Sequence, residues 1–148
     1  MARSTFVYVT YIRTTPEKLW SALTDDVEFM KQYWFGSYCE SEWTPGASWT
    51  HRLGDGQIIN LGEIIEADPP RRLVIRWRNE DDAELKAEGD SVCMMELEPD
   101  GETVKFSITQ TIEREPSKFI DMLRDGWPKV IANLKSLLET GSLAAGVP

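Results

Sequence analysis

The sequence predicts an α+β fold: a curved, seven-stranded antiparallel sheet wrapped around a long C-terminal helix, with two short helices between strands 1 and 2. Two observations predict it. Over residues 117–140 the apolar side chains recur at the helical period for about six turns. Ahead of that stretch, strand-like runs follow one another with short Asp-, Gly- and Pro-containing turns between them, and in most runs one parity is apolar and the other polar. The chain, 1–148, reads as a single domain with its core over about 5–141 and a loose tail at 142–148.

Residues 5–13 carry Phe6, Val7, Tyr8, Val9, Tyr11 and Ile12 and read as the first strand. Thr14-Thr15-Pro16-Glu17 then starts a helix, with threonine as N-cap, proline in the first turn and glutamate favourable at the helix dipole. It extends to about Leu23. Thr24-Asp25-Asp26 caps a second short helix through Phe29 and Met30, which ends in Tyr33-Trp34-Phe35 before Gly36.

Six strands follow, over residues 38–43, 48–53, 57–66, 72–79, 91–98 and 103–113. The turns between them hold Pro45-Gly46, Gly54-Asp55-Gly56, Asp68-Pro69-Pro70 and Pro99-Asp100-Gly101, while the acidic run 80–84 reads as a solvated hairpin loop. Parity puts Leu73, Ile75 and Trp77 on one face with Cys93, Met95 and Leu97, and with Val104, Phe106, Ile108 and Ile112. Trp49, His51 and Leu53 are assigned to the same face.

That face meets the final helix. Phe119, Ile120, Leu123, Trp127, Val130, Ile131, Leu134, Leu137 and Leu138 fall within an arc of roughly 120°. Ser117 is placed to start the helix and Gly141 to stop it. Pro128 predicts a bend near Gly126, yet the apolar phase continues through it, so one bent helix is expected rather than two.

Composition narrows the partners. The net charge of −9 argues against nucleic acid and anionic membranes, both of which need a basic footprint. No signal peptide, membrane-spanning run or lipidation signal is visible, so the cytoplasm is the expected compartment. Cys39 and Cys93 read as reduced, buried thiols; with one histidine and no Cys-x-x-Cys, neither a metal site nor a cofactor is expected.

Large aromatic residues are the most suggestive candidates for chemistry. Tyr33, Trp34, Trp49, Trp77, Phe106 and Trp127 can line an apolar cavity under the helix or simply fill the core. His51 has no serine or cysteine beside it in a nucleophile motif, so its expected use is as a polar anchor for a ligand, with no catalytic residue assigned. Asn60, Gln110 and Tyr38 need partners wherever they point inward, and water or backbone is expected to supply them. The acidic run lacks calcium-loop spacing, and Gly54-Asp55-Gly56 precedes no helix, so neither reads as an ion or phosphate site.

Several stretches taken together resemble the activator of heat shock protein 90 ATPase homologue-like family of the SRPBCC superfamily. They are Thr15-Pro16-Glu17-Lys18-Leu19-Trp20-Ser21-Ala22-Leu23-Thr24-Asp25 with Tyr33-Trp34-Phe35-Gly36; Ser41-Glu42-Trp43 with Gly46 and Trp49; Gly62 with Asp68-Pro69-Pro70-Arg71-Arg72-Leu73; and Gly126-Trp127 with Leu134, Leu138-Glu139 and Gly141. The resemblance implies the START-like, birch-pollen-allergen-like helix-grip fold, with a cavity that holds lipids, sterols, polyketides or other hydrophobic molecules in relatives. It implies no shared reaction. The chaperone-binding N-terminal domain behind the family name has no counterpart in this sequence, which argues against a chaperone partner.

The expected function is therefore non-catalytic binding of a small hydrophobic or amphipathic molecule by Trp34, Trp49, His51, Trp77, Phe106 and Trp127. Two alternatives stand beside it. One is a cyclase, dehydratase or hydrolase using the same cavity; the other is a chaperone co-factor or interaction module, including a homodimer through a sheet edge or aromatic patch.

Overall fold

The computed structural model describes residues 2–143, so the expected tail lies, from residue 144 on, outside the described residues. Seven strands form one antiparallel sheet: β1 (Ser4–Ile12), β2 (Tyr38–Ser41), β3 (Ser48–Arg52), β4 (Ile58–Asp68), β5 (Arg72–Asn79), β6 (Ser91–Asp100) and β7 (Thr103–Ile112). Their order across the sheet is β1-β7-β6-β5-β4-β3-β2. Helices α1 (Pro16–Leu23) and α2 (Val27–Tyr33) link β1 to β2, and α4 (Lys118–Thr140) follows β7. This is the α+β helix-grip arrangement. A further helix, α3 (Ala83–Ala87), replaces the loop expected between β5 and β6.

Local chemistry sets the helix ends. The Thr15 hydroxyl accepts from Lys18 N, Asp26 from Phe29 N and Ser117 from Ile120 N, each satisfying a first-turn amide. Gly141, at φ 80°, closes α4 by donating its N–H to Leu137 O at 2.9 Å. The helix runs through Pro128 without interruption.

The inward parity forms the core as expected, from Leu73, Ile75 and Trp77 through Phe106 and Ile108 to Ile131 and Leu134 on α4. Leu53 is the exception. It lies one residue beyond β3 and is 38% exposed, because strand parity ceases to hold where the strand stops. Cys39 and Cys93 are both buried, and burial pushes both thiols well above their usual range.

α4 packs against α2, β1 and β7 and diverges from the other end of the sheet. Along β1, an edge strand, Arg124 Nη2 donates to Thr5 O at 3.2 Å and Lys135 Nζ to Tyr11 O, while Arg13 N donates to Glu139 Oε2 at 2.8 Å. No helix among the described residues is long and apolar enough to cross a membrane.

Candidate functional site

The space between α4 and the β3–β5 end of the sheet is a cavity of about 510 Å³. Two inward rows on these strands make its floor. Pairing sets Trp49 opposite Gly62 and Gly62 opposite Trp77; two residues along, it sets His51 opposite Asn60 and Asn60 opposite Asn79. The first row is aromatic and the second polar.

In the aromatic row, Gly62 places no side chain between its neighbours. The indoles of Trp49 and Trp77 close over it and stack at 4.7 Å with an interplanar angle of 18°. Trp127 reaches down from α4 to 6.3 Å from Trp77 and 5.3 Å from Trp34, and Trp34 leans on His51 at 4.7 Å. Gln110 fixes Trp127: its Oε1 accepts the indole N–H at 3.0 Å, and its Nε2 donates to Ser91 Oγ at 2.9 Å.

The polar row has one consistent direction. Asp82 N, a donor only, bonds Asn79 Oδ1 at 2.9 Å, so Asn79 turns its Nδ2 toward Asn60 Oδ1 at 3.4 Å. Asn60 Nδ2 then donates to His51 Nδ1 at 2.9 Å. The proton of His51 is thereby assigned to Nε2, which donates to Ser37 Oγ at 3.0 Å, and Ser37 in turn donates to Trp34 O at 2.8 Å. Burial lowers the His51 pKa to about 4, which keeps the ring neutral near pH 7. Both ring nitrogens are engaged, so the imidazole is a fixed polar surface.

Of the residues singled out in the sequence, Trp34, Trp49, His51, Trp77 and Trp127 come together around the cavity. Phe106 does not. It is fully buried in the core on β7 and is not among the residues that line the cavity. Tyr33 also belongs to the closed core, its hydroxyl donating to Ala22 O at 2.7 Å. Of these three polar residues Asn60 and Gln110 point inward, and side chains supply the partners that backbone or water is expected to supply; Tyr38 is half-buried.

Sequence reasoning missed Asn79, Ser37 and the rim. Asn79 shares parity with Trp77, a signal that was available; Ser37 sits in a loop that carries none. At the rim, exposed Phe35 (φ 55°) and Met122 stand with Leu85, Asp81, Asp82 and Lys129. Among the described residues no group of three or more His, Cys, Asp or Glu side chains is placed to hold a metal ion.

Residues 13–139 match the family model described as Activator of Hsp90 ATPase homolog 1-like protein. Solved structures share the fold. A protein from Mesorhizobium loti has a TM-score of 0.77 at 22% identity, over 91% of this chain and 96% of that one. An Hsp90 activator from Plasmodium falciparum has a TM-score of 0.72 at 22% identity, over 90% of this chain and 95% of that one. The Aha1 dimer from Colwellia psychrerythraea has a TM-score of 0.74 at 17% identity, over 93% and 98%. No curated protein matches the sequence.

Proposed function

Because this chain belongs to the Activator of Hsp90 ATPase homolog 1-like family, we propose that it binds a small hydrophobic or amphipathic molecule, without a cofactor, between the sheet and α4. The observation that carries this reading is the cavity itself, about 510 Å³ with four indoles in its wall. Ligand sites of this size are mostly apolar and hold a few fixed polar groups that set orientation. Trp34, Trp49, Trp77 and Trp127 supply the contact area, and the His51–Asn60–Asn79 row orients the ligand. Phe106 has no part in it.

Recognition suits His51 better than proton transfer. A general base near neutral pH needs a free lone pair and a pKa close to the working pH. Here Nδ1 already accepts from Asn60 and the pKa lies near 4.

The test is a titration with a panel of lipids, sterols and flavonoids, followed by tryptophan fluorescence and melting temperature. A true ligand at about one hundred times its Kd stabilises by about 2.7 kcal/mol, a rise of several degrees. Trp77→Ala should abolish most of that rise. A panel with no effect, together with a crystal structure showing side chains collapsed into the space, would overturn the reading.

A further inference from the structure

α3 forms one wall of the cavity and is tied down unlike any other. None of its residues is buried, and Leu85 alone turns an apolar side chain to the cavity, where Met122 and Leu123 of α4 also lie. Its remaining ties are polar. Lys86 Nζ meets Glu80 Oε1 at 2.9 Å, and Glu84 pairs with Lys118.

Glu88, the residue after α3, makes the principal tie. Its Oε1 accepts from Ser117 Oγ at 2.6 Å and from Phe119 N at 3.4 Å, and its Oε2 accepts from Lys118 N at 2.8 Å. One carboxylate thus takes up two otherwise orphaned amides and the N-cap hydroxyl at the start of α4, where the helix dipole favours a negative charge. Gly89 follows at φ +90°, a conformation that lets the chain turn away at once into β6.

We propose that α3 with its flanking residues 80–89 is the lid through which ligand enters the cavity, and that Glu88 is the latch that holds it against the N-terminus of α4. Water competes well for bonds of this kind, whereas the strands and α4 are held by the buried core. Opening therefore requires the release of Glu88, Leu85, the exposed Glu84–Lys118 pair and the Asp82 N–Asn79 bond, but no strand pairing and none of the buried core, and costs far less than unfolding. The lid also touches the polar row: Asp82 N is the donor that fixes Asn79, so opening frees Asn79, Asn60 and His51 to reorient toward an entering molecule. The entry role rests on the cavity being a ligand site; the motion does not.

Amide hydrogen exchange and acrylamide quenching of tryptophan fluorescence test the motion without any ligand, on wild type, Glu88→Ala, Leu85→Ala and the control Glu98→Ala. Leu85→Ala leaves every bond to α4 in place, so it remains informative if Glu88→Ala disturbs that helix. The expected result is exchange at residues 84–89 faster by about tenfold in both lid variants, with residues 130–137 unchanged and quenching stronger. Nile red, a neutral apolar dye, should leave the cavity several-fold faster in the same two variants. Exchange at 84–89 that stays at the wild-type rate in both, or that accelerates only together with 130–137, overturns the lid. If Nile red and the ligand panel fail to bind wild type, the binding function falls, while exchange still decides the motion.

Discussion

Trp49 and Trp77 stand on strands separated by β4, yet their indoles stack at 4.7 Å because Gly62 between them has no side chain. A Cβ on Gly62 would lie 2.0 Å from Arg76 O and 2.8 Å from Trp77 Cα and Cβ. Backbone cannot yield as a flexible side chain does. Gly62→Ala should destabilise by about 3 kcal/mol or more, beyond ordinary overpacking, and urea denaturation read by tryptophan fluorescence will measure both the loss and the separation of the two indoles.

Among the described residues, Gln110 is the only side chain bonded to the Trp127 indole N–H. Gln110→Leu should leave that buried donor unpaired at a cost of about 1–3 kcal/mol. A chemical denaturation midpoint matching wild type would show that Trp127 finds another acceptor.

His51 makes stability depend on pH with a definite sign. Its folded pKa, about 4, lies below the ordinary 6.5, so between these values the unfolded chain binds more protons than the folded one. The contribution is complete above pH 6.5 and is lost as pH falls toward 4. At about 1.4 kcal/mol per pK unit the full effect is on the order of 3 kcal/mol. His51→Gln should therefore show a smaller drop in stability than wild type between pH 7 and pH 4.5, measured by urea titration at each pH.

Asn133 is fully buried in α4, and neither of its amide atoms has a hydrogen-bond partner among the described residues. Replacement by an apolar side chain removes an unmet desolvation cost, so Asn133→Leu should raise stability by about 1–3 kcal/mol. Differential scanning calorimetry should show a higher melting temperature, and a lower one would show that the amide is better accommodated than its missing partners imply.

Periodicity made most of the fold legible, because strands with one buried face and a helix with one apolar stripe both write their burial into the sequence. α3 escaped because five residues hold little more than one turn and its N-cap lies inside an acidic run. Asp82-Ala83-Glu84-Leu85-Lys86-Ala87 is nonetheless an N-cap followed by strong helix formers. For the site, parity marks Trp49, His51, Trp77 and Phe106 alike as inward, but it carries no information on where α4 leaves the sheet and so does not separate Phe106 from the residues that line the cavity. The rows themselves depend on a bulge at Ile64/Glu66. Pairing continued unbroken from Asp68–Arg72 would set Glu63 opposite Trp77; the bulge sets Gly62 there instead, and nothing in the local sequence announces that shift.

The contacts of α4 along β1 bear on how copies of this chain behave toward one another. An edge strand offers unpaired carbonyls and amides to any other strand, and β1 also exposes Val7, Val9 and Tyr11. Arg124, Lys135 and Glu139 already occupy polar groups near both ends of that edge with charged side chains. A chain stripped of these three charges keeps its core but uncovers an apolar strand nine residues long, and its first failing will be aggregation at high concentration rather than unfolding.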